Sequence, residues 1–391
     1  MNRVKLGEVA DTCLGKMLDA KKNKGTLHPY LANVNVRWGF FDLDGLQEMP
    51  FEDGEAERYG LKSGDLVMCE GGEPGRCALW TDASTDMRFQ KALHRIRAHK
   101  DVLDIRYLYY WFLYAGKRGM LDRYFTQTTI KHLVGEDLRT VELDLPDLER
   151  QKEIADVLSL IDAKIEANNK TIVELDSLAR TVYDYMIGGP LDWPKGKLGD
   201  LGEIVSGATP PTAEESNYSN DGIAWITPDD LSGLSDNMFI GRGGRDITTE
   251  GLASCSARLM PGGTVVMSSR APIGYIAISL SEFCTNQGCK SIVPDKAHGS
   301  WFVYYTLRRY MPLIESQGSG TTFKEVSKEA LASIPIAVPP HKVVAGFNEH
   351  VEPLCACRRS LEAESAGLVA LRDWLLPMLM NGQVTIDSEA R

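Results

Sequence analysis

Two long segments of the chain place apolar residues at alternating spacings of four and three positions. In the first segment this spacing is continuous and defines two rows: Ile154, Ile161, Asn168, Leu175 and Val182, and Leu158, Ile165, Ile172, Ala179 and Met186. Such a pattern is typical of a coiled-coil seam and predicts a helix over residues 147–188. Asn168 is the one polar residue in the rows, and a buried Asn at the middle of a seam can fix the register of the helices.

A second seam follows later in the chain and predicts a helix over residues 341–382. Its stronger row consists of Phe347, Leu354, Leu361, Leu368 and Leu375. Its weaker row is interrupted by the polar residues Arg358, Ser365 and Arg372. Pro353 predicts either a kink in this helix or a later start. The simplest arrangement pairs the two long helices as an antiparallel coiled coil.

The segments before and between these helices mix short β-type runs with turns. In the first segment, strands are predicted at 65–69, 78–80 and 93–97, and a helix at 104–114. The second segment has the same order, with strands at 264–267 and 275–279, a helix at 301–309 and a last strand at 334–338. Each segment therefore predicts a globular head of the α+β class.

Several short motifs of the first head return in the second at nearly constant offsets. The string KLGEVAD at 5–11 returns as KLGDLGE at 197–203, and Gly15 returns as Gly207. The string GDLVMC at 64–69 returns as GTVVMS at 263–268, and TTIK at 128–131 returns as TTFK at 321–324. A repeat of this length is too long for a solenoid unit and indicates a duplicated module with pseudo-twofold symmetry.

The repeat and the helices together predict the domain organisation. We expect a first head at 1–146, a long helix at 147–188, a second head at 189–340, a second long helix at 341–382 and a tail at 383–391. In this arrangement the paired helices hold two similar heads apart, which suits a target with two separated parts. The alternative is that the helices only join one compact domain.

The charge of the chain limits the classes of partner. The formal net charge is −11, which argues against a broadly basic nucleic-acid surface but leaves room for a local one. Residues 76–139 contain 12 Lys and Arg against 7 Asp and Glu. No apolar stretch approaches the roughly 18 residues needed to cross a bilayer, and no signal peptide precedes the first repeat. We therefore expect a cytoplasmic protein without a membrane partner.

The sequence lacks the common signatures of catalysis and metal binding. It contains no phosphate-binding loop, no nucleophile elbow, no His-Glu-x-x-His motif and no Asn-Pro-Pro-Tyr loop of an amino-methyltransferase. The eight cysteines form no Cys-x-x-Cys pair, and no histidine lies at metal-ligand spacing from them. We expect no metal, no cofactor and no catalytic residue on this chain. A DNA-modifying enzyme with an unrecognised site is a competing interpretation.

The chain resembles the specificity subunit of a type I DNA restriction–modification system over nearly its whole length. Each head ends in a strand that runs to a proline, Pro146 or Pro339. The string LERQKEIA at 148–155 resembles the family's Glu-Gln-x-x-Ile-Ala helix start. The string LRDWLLPMLMNG at 371–382 resembles its Leu-Arg-x-x-Leu-Leu-Pro-x-Leu-x-x-Gly ending. The second helix departs from the family pattern because it starts HKVV and lacks the Glu-Gln pair.

The resemblance implies a non-catalytic subunit with two target recognition domains, each reading half of a split sequence in double-stranded DNA. It implies that the helices set the gap and that the chain docks two methyltransferase subunits and then restriction subunits. S-adenosylmethionine, ATP and Mg²⁺ would be bound by those partners. The competing interpretation is a scaffold or adaptor whose heads bind only proteins.

Candidate DNA contacts are polar loop residues, because Arg and Lys contact phosphates and guanine whereas Gln contacts adenine. In head one they are Lys21, Lys22, Lys24, Arg76, Arg88, Gln90, Lys91, Thr128 and Lys131. In head two they are Arg242, Arg245, Arg270, Gln287, Ser319, Thr321, Thr322 and Lys324. Arg270 and Lys324 are favoured because they occupy short loops that match the repeat.

Overall fold

The computed structural model describes residues 2–19, 21, 23–82, 86–126, 131–189, 193–320 and 324–386. The chain forms two compact units. Unit one contains Met1–Ile165 and Gly367–Arg391, and unit two contains Glu166–Ala366. Each unit contains one head and part of each long helix.

Head one, residues 1–146, begins unit one. Its strands are β1 (Asn2–Lys5), β2 (Ala10–Leu14), β3 (Thr26–Leu31), β4 (Gln47–Phe51), β5 (Asp65–Cys69), β6 (Cys77–Trp80), β7 (Arg88–Phe89), β8 (Leu93–Ala98) and β9 (Glu142–Leu145). Its helices are α1 (Leu6–Val9), α2 (Ala56–Tyr59), α3 (Ile105–Lys117) and α4 (Gly135–Thr140). The first long helix, α5 (Leu148–Met186), follows directly.

The strands of head one form three sheets. One has the order β2-β8-β5-β6 and is antiparallel throughout. A second has the order β4-β3-β7, in which β3 and β7 run parallel. The third is the antiparallel pair of β1 with β9, which brings the end of the head back to its start. The predicted strands at 65–69, 78–80 and 93–97 are confirmed, whereas the sheet around β3 was not predicted.

Head two, residues 189–340, has the same plan. Its strands are β10 (Lys195–Lys197), β11 (Gly202–Ser206), β12 (Tyr218–Ser219), β13 (Ile223–Ile226), β14 (Phe239–Ile240), β15 (Asp246–Ile247), β16 (Val265–Ser269), β17 (Ile273–Ser279), β18 (Cys284–Thr285), β19 (Cys289–Pro294) and β20 (Pro335–Ala337). Its helices are α6 (Pro228–Ser232), α7 (Thr249–Ala253), α8 (Gly299–Ser316) and α9 (Lys328–Ser333). The second long helix is α10 (His341–Met380).

The sheets of head two repeat the topology of head one. The order β11-β19-β16-β17 corresponds to β2-β8-β5-β6, with β14 added at one edge. The order β15-β13-β18 corresponds to β4-β3-β7, and β13 runs parallel to β18 as β3 does to β7. The pair of β10 with β20 corresponds to β1 with β9. The internal repeat predicted from the sequence is confirmed by this equivalence, and the fold is α+β.

Parts of both long helices complete the core of unit one. In head one, the aromatic helix α3 packs on the β2-β8-β5-β6 sheet. Ile154 and Leu158 of α5 and Leu376 and Leu379 of α10 are buried in the same cluster. Ile154 and Leu158 of the predicted seam are thus part of the core of the head.

Unit two is assembled in the same way from the other parts of the helices. Ile172 and Ala179 of α5 and Phe347 and Val351 of α10 are buried with helix α8 in one apolar cluster. The helix α10 starts at His341 and continues through Pro353, so the late start considered from the sequence does not occur. No helix in the described part of the chain is long and apolar enough to cross a lipid bilayer.

Polar pairs link the long helices between these apolar regions. In unit two, Asn168 is buried and its side-chain amide donates to Glu364 at 2.8 Å and to Ser365 at 3.2 Å. Further along, Arg358 donates to Asp176 at 2.8 Å. The partner position on α10 falls as the position on α5 rises, so the helices are antiparallel here. The seam residues Ile161, Ile165, Leu175, Val182, Leu354, Leu361, Leu368 and Leu375 are half-buried. The described seam is therefore more polar than a uniform heptad pattern predicts.

Candidate nucleic-acid interface

Four segments of head two meet at one edge of its larger sheet. We call this the head-two edge: residues 207–209, 269–272, 286–288, and 319–320 with 324–326. The Ser269 amide donates to the Gly288 carbonyl at 2.8 Å, and the Val326 amide donates to the Ser269 carbonyl at 3.0 Å. Arg270 and Ser319 both form β-bridges with Glu325. Residues 321–323 lie outside the described residues.

Head one carries the same backbone arrangement at the equivalent positions. We call this the head-one edge: residues 15–16, 70–72, 90–92, and 126 with 131–133. The Glu70 amide donates to the Ala92 carbonyl at 2.9 Å, and the Leu133 amide donates to the Glu70 carbonyl at 2.7 Å. His132 forms β-bridges with both Gly71 and Thr126. These contacts match those of the head-two edge one for one. The two edges therefore share one backbone frame.

The repeated glycines Gly15 and Gly207 have a clear role in this frame. A Cβ atom on Gly15 would lie 2.2 Å from the carbonyl oxygen of Gln90, and one on Gly207 would lie 2.1 Å from that of Asn286. Only glycine allows the backbones to approach this closely. The repeated glycine thus allows close backbone packing against a neighbouring turn. In head one this turn carries Lys91, and in head two it carries Gln287.

The head-two edge brings together four predicted DNA contacts. Arg270 lies 3.7 Å from the carboxylate of Glu325 and is half-buried. Gln287 is exposed and accepts a hydrogen bond from the hydroxyl of Thr209. Ser319 and Lys324 are also exposed. Thr321 and Thr322 were predicted in the same loop but lie outside the described residues. The structure thus places a guanidinium, an amide and an ammonium on adjacent loops.

The head-one edge presents a different set of side chains on the same frame. Lys91 is exposed at the position equivalent to Gln287, and Gln90 is half-buried beside it. Lys131, equivalent to Lys324, is exposed and lies 3.7 Å from Asp122. Thr128 lies outside the described residues. Both edges therefore keep one exposed lysine in the loop before α4 or α9, and differ at the neighbouring turn.

Two predicted contacts of head one are engaged within the protein. Arg88 is buried and its guanidinium pairs with Asp86, so it is not available at a DNA-facing surface. This burial could not be predicted from the sequence, because the two residues of β7 are too few to show a pattern. Arg76 pairs with Glu73 at 2.8 Å and donates to the side chain of Asn33 at 2.9 Å. These contacts hold it against its own loop.

Five of the twelve basic residues between 76 and 139 are buried or half-buried, and some of them hold head one together. Arg95 donates to the carbonyls of Arg58 at 2.8 Å and Gly60 at 3.2 Å. Arg97 pairs with the buried Asp65 at 2.6 Å. The count of positive charges along the chain therefore overstates the basic surface, because it includes residues that are buried in pairs.

The remaining predicted contacts lie in other loops. Lys21 and Lys24 are exposed between β2 and β3, whereas Lys22 lies outside the described residues. In head two, the exposed Arg242 pairs with the buried Asp246, and the exposed Arg245 stacks 3.7 Å above the ring of Tyr218. These arginines occupy the loop between β14 and β15 and form a second basic group of head two, which we do not count as part of its edge.

A buried polar residue lies directly behind each edge at the same position in the sheet. In head one it is His94, opposite Met68, and in head two it is Lys290, opposite Met267. The His94 ring nitrogen Nε2 lies 3.0 Å from the Leu133 carbonyl. Burial lowers the pKa of His94, and the contact with Leu133 opposes that shift only in part. Sequence reasoning missed Lys290, although a lone charged residue in a strand of otherwise uncharged residues is itself a signal.

Over the described residues there is no cluster of three His, Cys, Asp or Glu side chains that could hold a metal ion. The side chains at the two edges are donors and acceptors of hydrogen bonds with basic groups among them. Loops of this kind, mounted on a rigid sheet, suit recognition of a polar and negatively charged surface better than bond-making chemistry.

The model of the type I restriction modification DNA specificity domain matches residues 1–177 and again residues 190–343. The chain belongs to this family. The first match covers head one and most of α5, as far as residue 177, and the second covers head two and the first three residues of α10. The internal repeat is therefore a tandem of one family domain, as the sequence motifs predicted.

Individual relatives carry the same description. The chain is 25% identical to the putative type I restriction enzyme MjaX specificity subunit of Methanocaldococcus jannaschii over 94% of this chain and 90% of that protein. A shorter alignment to the type I restriction enzyme MjaIX specificity subunit of the same organism is 38% identical, but covers 38% of this chain and 35% of that protein.

A solved structure supports the fold. The S subunit of a type I restriction-modification system from M. genitalium has a TM-score of 0.59, with 16% identity over 97% of this chain and 95% of that one. At this identity the likeness concerns the fold alone.

Proposed function

We propose that this chain is the DNA-recognition subunit of a type I restriction–modification complex, and that each head reads one half of a split DNA sequence. The observation that carries this proposal is the shared backbone frame of the two edges with different side chains on it. Two copies of one reading frame with different contacts would recognise two different half-sites. Membership of the DNA specificity family supplies the nature of the target.

The side chains of the edges fit this role. In the head-two edge, Arg270 would contact a guanine, Gln287 an adenine and Lys324 a phosphate. In the head-one edge, Lys91 replaces the amide of Gln287, and Lys131 keeps the phosphate contact. The base preference of the two heads should therefore differ most where the turn before β8 or β19 faces the DNA.

We assign no reaction to this chain. Methyl transfer would belong to two methyltransferase subunits that bind S-adenosylmethionine, and cleavage would belong to restriction subunits that use ATP and Mg²⁺. The formal net charge of −11 is compatible with DNA binding in such a complex, because partner subunits can supply part of the basic surface along the duplex.

The proposal is tested by methylation of a randomised DNA library with the chain and its methyltransferase subunits. Wild-type complex should methylate a sequence with two specified halves. Lys91→Ala should relax one half, and Gln287→Ala should relax the other. If both variants relaxed the same half, the assignment of one half to each head would be wrong.

A wild-type complex with no sequence preference and no DNA footprint would favour the adaptor interpretation, and methyl transfer by the isolated chain would favour an enzyme.

The long helices would set the gap between the half-sites. Inserting one heptad into α5 after Asn168 and one into α10 before Glu364 should lengthen the gap that the complex tolerates, because both helices are extended together. The measurement is the gap length in the methylated library. An unchanged gap would show that the helices do not set the distance between the half-sites.

A further inference from the structure

We propose that Lys290, buried behind the head-two edge, is a positioning residue that holds three loops of that edge in the arrangement that reads DNA. Lys290 lies in β19 between buried neighbours, and only 5% of its surface is exposed. It therefore cannot reach DNA itself. This inference rests on the proposed function, because it assigns a determinant of base preference within the same edge.

The three hydrogen atoms of the ammonium group are all used inside the head. The Nζ atom donates to the Ser269 hydroxyl at 3.2 Å, to the Gln287 carbonyl at 3.2 Å and to the Glu325 carboxylate at 3.3 Å. An ammonium group has three donors, so none remains for a ligand. Each acceptor belongs to a different segment of the edge.

Each acceptor is also next to, or part of, a candidate contact. Ser269 directly precedes Arg270, and Gln287 is itself a candidate. Glu325 directly follows Lys324 and lies 3.7 Å from Arg270 through its other carboxylate oxygen. The ammonium thus sets the position of the turn at Gln287. It contacts one carboxylate oxygen of Glu325, and Arg270 lies near the other oxygen.

The physical cost of this arrangement supports a specific role. Taking an ammonium out of water costs several kcal/mol, and an apolar side chain of similar length would fill the same space. The equivalent residue of head one, His94, contacts the Leu133 carbonyl, and His132 stands at the position of Glu325. Lys290 and Glu325 thus form a pair in head two, and head one has His94 and His132 at the two equivalent positions.

The test uses Lys290→Met in the complex with methyltransferase subunits. The measured quantity is discrimination, the ratio of affinities for the target and for targets with one changed base. We expect discrimination in the half-site of head two to fall about tenfold, the equivalent of 1.4 kcal/mol. Discrimination in the half-site of head one, and affinity for unrelated DNA, should stay as in the wild type, and Lys290→Arg should restore part of the loss. Lys296→Met, an exposed lysine of the same head, is the matched control.

Two outcomes would overturn the proposal. One is a folded Lys290→Met variant with wild-type discrimination, and the other is an equal loss in both half-sites. If Lys290→Met does not fold, Glu325→Gln decides, because Glu325 is partly exposed and its amide removes the charge that pairs with the ammonium. Unchanged discrimination by that variant would leave Lys290 with a role in folding only. Failure of the proposed function is distinguishable, because wild-type complex would then show no discrimination at all.

Discussion

The two heads share one backbone frame but hold it in place with different interactions. At the back of the head-one edge a buried imidazole contacts a carbonyl, whereas at the back of the head-two edge a buried ammonium joins three loops. The comparison shows that hydrogen bonds between backbone groups can keep a fold while side chains change. Recognition can therefore diverge between two copies without loss of the scaffold.

The attachment of the long helices differs between the units as well. In unit two, Arg358 is buried and pairs with Asp176 at 2.8 Å and with Glu362 at 2.7 Å. In unit one, Arg372 pairs with Asp162 at 2.8 Å but is half-buried. The arginine of this ion pair is thus more deeply buried in unit two. Loss of one partner should therefore lower the free energy of unfolding more in unit two than in unit one.

Removal of Arg358 should have the largest effect on stability. Arg358→Ala would leave the buried carboxylate of Glu362 without its cation, whereas Asp176 would keep its pair with Arg308 at 2.7 Å. The loss should lower the free energy of unfolding by about 3 to 5 kcal/mol. Arg372→Ala should cost less because solvent replaces part of the lost interaction. Arg359→Ala, at an exposed neighbouring position, is the control. Chemical denaturation of the three variants makes the measurement, and an equal loss for Arg358 and Arg372 would contradict the comparison.

Substitution of the repeated glycines should disturb both edges to a similar extent. Gly15→Ala and Gly207→Ala would each drive a methyl group into a backbone carbonyl, at a cost of about 3 kcal/mol. Gly54→Ala in head one and Gly233→Ala in head two place the new Cβ at 3.5 Å or more from other atoms and serve as controls. Thermal unfolding measures the loss. A large loss for one glycine and none for the other would mean that the frames are not equivalent.

Removal of Arg270 should affect one head alone. If Arg270 contacts a base, Arg270→Ala should cost about 1 to 3 kcal/mol of binding free energy and relax one position of the half-site read by head two. Arg258→Ala removes an exposed arginine of the same head that pairs with Glu203, and should leave the preference unchanged. Binding to a panel of single-base variants makes the measurement. If the affinity for DNA and the base preference stayed unchanged, Arg270 would not be a DNA contact.

Acid should destabilise head one through His94. Because burial holds the folded pKa of His94 below its usual value of 6.5, the unfolded chain takes up a proton first as the pH falls. The contribution of the neutral imidazole to stability is therefore complete above pH 6.5 and is lost progressively below it. The difference in unfolding free energy between wild type and His94→Gln should shrink or change sign from pH 7.5 to pH 5. A difference that stays constant over this range would contradict the assignment.

Most of the architecture of this protein could be predicted from local patterns in its amino-acid sequence. The heptad spacing predicted the two long helices, because a helix buries a stripe of residues that recur at that spacing. The apolar runs at 65–69 and 264–267, each after a glycine turn, predicted the central strands, and the repeated motifs predicted two copies of one module. These signals are local, since each depends on residues that are close together in the chain.

The segments that form each edge come together only when the chain folds. The four segments of each edge are separated by tens of residues, and their contacts are backbone hydrogen bonds that leave no pattern in the sequence. The same holds for burial, since Arg88 and Lys290 are charged residues in strands and the sequence does not show that one pairs with Asp86 and the other joins three loops. Whether a charge faces solvent or a partner depends on residues brought close by folding. A count of basic residues along the chain therefore could not separate the exposed Lys91 and Lys131 from the buried Arg88.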